Sequence, residues 1–260
     1  MKPTDRRGAL RAGAAAALAG ALATACGTDP RPAPDAGHSP AAGRSPAPAP
    51  AAAPAPRHFP GQPDEIAHGP RDRPRVALTF HGQGDPALAT RLLAEAERAG
   101  ARVTVLAVGS WLDAHPSLAR RVLDGGHDLG NHTQRHIDIN AMTETEALAE
   151  IEACATRLRR LTGSVGTWFR PSRTQHAGPS VLRAARRAGY PHVLSYDVDS
   201  LDFTSPGAAA VVRNVTGPVR AGSVVSLHFG YPDTATALPV LLAELDRRGL
   251  SAVTTTELLS

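Results

Sequence analysis

The chain has 260 residues, 42% hydrophobic but only 4% aromatic, so its core is built mainly from Ala, Val and Leu. That composition suits a helix-rich α/β protein and argues against an aromatic-rich β sandwich. The formal charge is +4, and Lys2, Arg6, Arg7 and Arg11 against Asp5 supply +3 of it near the N-terminus; no basic stripe with interleaved aromatics follows, which argues against a nucleic-acid partner.

Residues 12–25 form an apolar run of small residues behind that basic start. The run is too short to cross a bilayer, which takes about 20 residues, and has the length of a signal-peptide hydrophobic region. It ends Leu22-Ala23-Thr24-Ala25-Cys26, which resembles a bacterial lipobox, whose Cys is lipidated and becomes the mature N-terminus. An ordinary secretory peptide is the alternative. Arg6-Arg7 is similar to a twin-arginine export signal, without its usual bulky residue at position 9. Residues 27–73 hold more than half of the 23 prolines and read as a semi-rigid extended spacer. The expected product is an exported protein, lipid-anchored through Cys26 to the outer face of the bacterial cell membrane. The other cysteine, Cys154, has no intrachain partner once Cys26 is processed and reads as a small core residue.

From residue 74 to 260 the pattern becomes a strand–helix alternation. Short apolar strands are expected at 75–80, 102–108, 167–169, 192–196, 223–227 and 252–254. Helices are expected at 86–99, 116–124, from Thr143 to about 162, at 179–188, 208–215 and 235–248. Thr143 with Glu146 forms a capping box, and Gly163 supplies a C-cap. Regular alternation implies parallel strands with crossover helices, closed as an irregular barrel or, alternatively, open and doubly wound. Polar residues then fall at five strand ends: His81, Asn131-His132, Arg170, Asp197 to Asp202, and His228. In parallel α/β folds those ends converge on one face, where active sites lie.

His132 and His136 are four residues apart, a spacing that on a helical turn lets both imidazoles reach one ion; two surface polar residues are the alternative. Gly126 to Thr133 (GHDLGNHT) precedes and includes the first of them, and further segments read Phe169-Arg170-Pro171-Ser172-Arg173, Asp199-Ser200-Leu201-Asp202-Phe203 and Gly222 to His228 (GSVVSLH). Together with the closing 238–259 stretch, these make residues from Val76 onward resemble the NodB-homology polysaccharide deacetylases, carbohydrate esterase family 4. The resemblance implies a distorted (β/α)7 barrel and a divalent-metal hydrolase that removes N- or O-acetyl groups from peptidoglycan, chitin-like or xylan-like polysaccharides. It implies His132 and His136 as metal ligands, His228 as general acid and Asp202 as the residue that tunes it. Arg170 would orient the base, and a backbone N–H near Arg173 would help hold the oxyanion.

One segment departs from that family. Its first motif is Thr-Phe-Asp-Asp-Gly, with a base and a metal ligand as the two carboxylates; here the chain reads Thr79-Phe80-His81-Gly82-Gln83-Gly84-Asp85-Pro86. The expectation is a rearranged metal hydrolase in which His81 joins His132 and His136 as third ligand of a zinc ion. His81 as base is the alternative. The base role otherwise passes to Asp85, with Gly82 and Gly84 giving the loop freedom to bring it inward, or to no residue. The competing readings are a non-catalytic saccharide-binding envelope protein and a new substrate on the same scaffold.

Overall fold

The computed structural model describes residues 53–260, so the leader, Cys26 and the earlier part of the Pro-rich segment lie outside the described residues. The strands are β1 (Glu65–Ile66), β2 (Arg75–Gly82), β3 (Thr104–Ala107), β4 (Asp128–Asn131), β5 (Val193–Leu194), β6 (Val198–Asp199), β7 (Val224–His228) and β8 (Ser251–Val253). The helices are α1 (Pro86–Arg98), α2 (Gly109–Ala114), α3 (Ser117–Asp124), α4 (Glu144–Thr162), α5 (Pro179–Arg187), α6 (Ala208–Thr216), α7 (Pro232–Arg247) and α8 (Thr255–Leu259).

Period-two alternation in β2 separates the two layers. Val76, Leu78 and Phe80 join Val103, Val105, Leu129, Val225 and Leu227 in the apolar layer beneath the helices. Ala77, Thr79 and His81 therefore face the opposite way, into the barrel. All the strand pairs are parallel, in the order β4-β3-β2-β7-β6, with β8 beside the first residues of β2. Phe169 bridges Asn131 of β4 to Val193 of β5, and β1 pairs with β5. From β2 through β3, β4 and the Phe169 bridge to β5, and from β6 to β7 and back to β2, neighbours follow chain order around a distorted barrel, with β1 and β8 placed out of order beside β5 and β2. The distortion lies where β5 runs into β6 through residues 195–197 with no helix between them.

α4 is bounded as its sequence dictates. Thr143 accepts from Glu146 N while the Glu146 carboxylate accepts from Thr143 N, and Gly163 closes the helix at φ 80°. Cys154 on this helix is a buried free thiol whose pKa burial pushes up to about 12, consistent with a packing residue.

The spacer gives way to the folded domain earlier than residue 74. Ala53 N donates to Thr162 O (3.0 Å), Phe59 stacks on Trp168 at 5.4 Å, and Ile66 is fully buried in β1. Pro-rich composition hid both the strand β1 and the apolar anchor Phe59 before it, because the isolated Phe59 and Ile66 lack the periodicity of a longer element. Among the described residues no helix is long and apolar enough to cross a membrane.

Candidate active site

Parallel register brings the strand ends together. His81 pairs with His228 across β2 and β7, and Asn131, the last residue of β4, pairs with Ala107 of β3. His132 follows directly. Ring centroids are 4.2 Å apart for His81 and His228, 4.4 Å for His81 and His132, and 4.9 Å for His132 and His136. One nitrogen from each of His81, His132 and His136 lies within 4.8 Å of the others. His81, His136 and His228 line a cleft of about 720 Å³, walled also by Gln83, Arg173, Gln175, Tyr196, Asp199, Phe203 and Tyr231, while His132 is fully buried.

The three imidazoles could hold a metal ion between them. Burial first, then the neighbouring histidines and Arg170, hold His81 well below the usual imidazole pKa; burial first, then His136, does the same for His132. Burial, then Arg173, lowers His136. All three are therefore neutral near pH 7. His132 Nδ1 lies 3.0 Å from the Arg170 carbonyl, which can only accept, so Nδ1 carries the proton and Nε2 keeps a free lone pair. Nε2 of His132 and Nε2 of His81 are both buried without a hydrogen-bond partner among the described residues. Two orphaned nitrogens side by side, with a His136 nitrogen nearby, fit a shared ion.

His132 and His136 do not converge on a helical turn, as their spacing suggests. Residues 132–136 form an irregular loop with Thr133 at φ 67° and His136 at φ 55°. A β-branched residue at positive φ is strained, and a network holds it there. Asn131 Oδ1 accepts from Thr133 N (2.9 Å), Thr133 Oγ1 donates to Ser172 Oγ (3.1 Å), and Glu150 accepts from Arg135 N (2.9 Å) and Arg135 Nε (2.6 Å). Asn131 is fixed in turn by bonds to Ile151 O and Tyr190 Oη.

On the other side of His81, His228 Nδ1 donates to Asp202 Oδ1 at 2.7 Å. The second oxygen of this fully buried carboxylate accepts from His228 N (2.8 Å) and Thr234 Oγ1 (2.6 Å). The imidazole is thereby held with Nε2 as its free nitrogen, in the tautomer a proton carrier needs.

Two expectations are corrected. Asp85 does not turn inward: its carboxylate accepts from Ala87 N (2.7 Å) and Leu88 N (3.3 Å) as the N-cap of α1, exposed and outside the cleft wall. The loop before it is fixed rather than free. Gly84 packs so closely on Gly230 that a Cβ would meet its Cα at 2.4 Å, and the Gly84 carbonyl accepts from Trp111 Nε1. Arg170 is bonded to no carboxylate base among the described residues. Its guanidinium donates to Leu194 O, Thr79 Oγ1 and Ser195 O, lies 5.3 Å from the Tyr196 ring centroid, and has its pKa lowered to about 10 by burial. Gly82 leaves no room for a ligand either: a Cβ would meet Ala107 Cα at 2.9 Å and Val105 Cγ1 at 3.0 Å, on the helix side of the sheet. Of the expected residues, the fold brings together His81, His132, His136 and the Asp202–His228 pair.

Glu150, which holds the 132–136 loop from α4, carries no motif signal in the sequence, whereas Asn131 and Ser172 lie within the motifs but have positioning roles that their spacing does not reveal. Sequence reasoning quoted Asp199 but assigned it no role, although Asp199 lines the cleft. His127, within the GHDLG stretch, stays away from the site: Nδ1 accepts from Val103 N while Nε2 meets Glu97 Oε1 at 3.2 Å.

Fold and site together define an α/β barrel carrying an imidazole-rich centre and a carboxylate-held histidine at its strand ends. The polysaccharide deacetylase family model matches residues 68–193. A peptidoglycan-N-acetylglucosamine deacetylase of Bacillus cereus is 30% identical over 194 residues, 73% of this chain and 90% of that one. A chitooligosaccharide deacetylase of a Bradyrhizobium species is 29% identical over 197 residues, 67% of this chain and 85% of that one. In structure, a carbohydrate esterase family 4 pseudoenzyme from Bacillus anthracis superposes with a TM-score of 0.72 at 21% identity, covering 76% of this chain and 70% of that one. The chain belongs to the polysaccharide deacetylase family, a family of hydrolases.

The lowered imidazole pKa values make the metal-free protein acid-sensitive. Below pH 6.5, the ordinary histidine value, unfolded chains take up protons at 81, 127, 132 and 136 that the folded protein refuses until lower pH. The unfolded state then binds more protons, so stability falls as pH drops through this window. Denaturant unfolding of metal-free protein between pH 8 and pH 5 should show that fall, and a His81→Asn, His132→Asn double variant should flatten it.

Proposed function

We propose that this protein is a metal-dependent hydrolase that removes acetyl groups from a cell-envelope polysaccharide, with His81, His132 and His136 as the ligands of a zinc ion. The observation that carries the reading is the pair of buried, unpartnered Nε2 atoms on His81 and His132, beside a third histidine nitrogen. Three protein ligands plus an open position is the usual catalytic zinc arrangement. The ion, when bound, would supply a lowered pKa for water and polarise the acetyl carbonyl.

The chain's own residues supply the rest. His228 Nε2 takes a proton from the attacking water, since no carboxylate stands at 81 or 82, and returns it to the leaving amine or alcohol. Asp202 stabilises the imidazolium formed between those two events. Nothing among the described residues accepts from Arg173 N–H, held at φ 58° beside the cleft, which leaves that amide free for the oxyanion. Thr79 and the 194–195 carbonyls, braced by Arg170, keep the wall behind His81 rigid.

A second reading is favoured by the loss of both carboxylates from the first motif, a saccharide-binding protein without turnover. Metal per chain and acetate release from acetylated peptidoglycan or chito-oligomers decide between the two. The parent should hold about one zinc per chain and release acetate. His81→Ala should lose metal about as fully as His132→Ala. Retained metal with lost turnover would make His81 a base instead, and no metal with no acetate would favour the binding protein.

We also propose that the protein is exported and lipid-anchored at Cys26 on the outer face of the cell membrane. The support is the basic, apolar, Leu-Ala-Thr-Ala-Cys leader in the sequence. Cys26→Ser should release the protein from the membrane fraction or leave it unprocessed; a processed, membrane-bound variant would contradict the anchor.

A further inference from the structure

Two of the three candidate ligands are placed by the sheet. His81 lies within β2, and His132, directly after β4, donates its amide to Ala107 O (2.9 Å) and its Nδ1 proton to Arg170 O (3.0 Å). His136 has no such support. It sits half-buried in the 132–136 loop at φ 55°, and its amide reaches only Thr133 Oγ1, at 3.2 Å. Its imidazole is bonded to no other residue among those described. The place of that ring is therefore set by the backbone on either side of it.

Two helices clamp that backbone. The first half of the loop is held by α2, where Gly109 N donates to Thr133 O and Ser110 N to Gln134 O, both at 2.9 Å. The second half is held by α4: one Glu150 oxygen accepts from Arg135 N (2.9 Å) and the other from Arg135 Nε (2.6 Å). Glu150 is 5% exposed, on a helix face otherwise made of Ala147, Ile151, Cys154 and Leu158. Packing calls for an apolar side chain at such a position, and a carboxylate there loses its hydration. Among the described residues its carboxylate bonds only to Arg135. The buried charge therefore serves the loop, through bonds of the short, charge-assisted class. The Arg135 side chain is 66% exposed, so water screens the ion pair and the amide bond is the part that fixes the backbone.

We infer that Glu150 is a positioning residue for the metal centre: by holding the Arg135 amide it sets His136 where a third nitrogen closes the site. The inference rests on the three-histidine reading for the ion but not for the loop. Without Glu150, His81 and His132 keep their places while His136 swings away, and the site falls to two protein ligands. The role runs through the backbone, so the Arg135 side chain is dispensable to it.

The test is a double-mutant cycle on the full chain, read by zinc competition against a chromophoric chelator, with amide hydrogen exchange of the metal-free protein beside it. Glu150→Ala should weaken zinc binding about tenfold to a hundredfold, the range for losing an outer support of a ligand. In a His136→Ala background the same substitution should cost less than about threefold, because its effect has no other route. Glu150→Gln, whose amide oxygen can still accept from Arg135 N, should keep most of the affinity, and so should Arg135→Ala. Glu144→Gln breaks the Arg183 and Arg187 pairs at the start of the same helix and should leave zinc affinity unchanged. In metal-free Glu150→Ala, exchange should rise at residues 135–137 while β2, β4 and α4 keep the parent's protection. Parental zinc affinity in Glu150→Ala, an equal loss with and without His136, or a matching loss in Glu150→Gln, Arg135→Ala or Glu144→Gln would overturn the inference. Unchanged exchange at 135–137, or protection lost throughout α4 and the barrel, would overturn it as well. A parent that binds no zinc rejects the zinc centre of the hydrolase reading, and the exchange pattern then decides the positioning role by itself.

Discussion

The parallel register of β2 with β7 is the constraint on which the site depends. It sets His81 and His228 opposite each other as paired residues, and pairing of β2 with β3 and of β3 with β4 delivers His132 to the same level. Because side chains alternate across a strand, a one-residue slip would send His81 into the helix layer and Phe80 into the cleft. The apolar layer under the helices, with Val76, Leu78 and Phe80 fully or almost fully buried, opposes such a slip. Core packing therefore specifies where the chemistry sits.

The same alternation explains how the chain differs from the family's two-carboxylate pattern. Gly82 is pressed against Ala107 and Val105, so the position after His81 faces the wall and carries no ligand. The longer imidazole at 81 reaches the centre from the preceding position, between His132 and His228. The cost is two buried nitrogens without partners, of order 1–3 kcal/mol each when nothing binds. Arg170, left without a carboxylate to orient, still braces Thr79 and the 194–195 carbonyls. It shares the buried floor with three neutral rings, which is tolerable because none of them is charged.

Much of this was legible in the residues. Strand ends carrying His81, His132 and His228, the Thr143–Glu146 cap and the Gly163 stop are local signals, and the structure shows each element. Three features were not legible, for physical reasons. The 132–136 turn is left-handed at two non-glycine residues, a conformation imposed by Glu150 and Ser172, which lie 15 and 39 residues from their partners. Asp85 belongs to α1 because a helix start beside Pro86 claims a nearby carboxylate as its cap. The strand β1 is two residues long within proline-rich chain, and tertiary contact with Trp168 and β5 makes it, not propensity.

A three-histidine metal centre without carboxylate ligands is the central claim, and X-ray absorption at the zinc edge of the loaded protein tests it most directly. The expected first shell holds three imidazole nitrogens at about 2.0 Å with a light oxygen atom in the remaining position, and imidazole multiple scattering to match. A shell with two imidazoles and a carboxylate, or one of water oxygens alone, would contradict it.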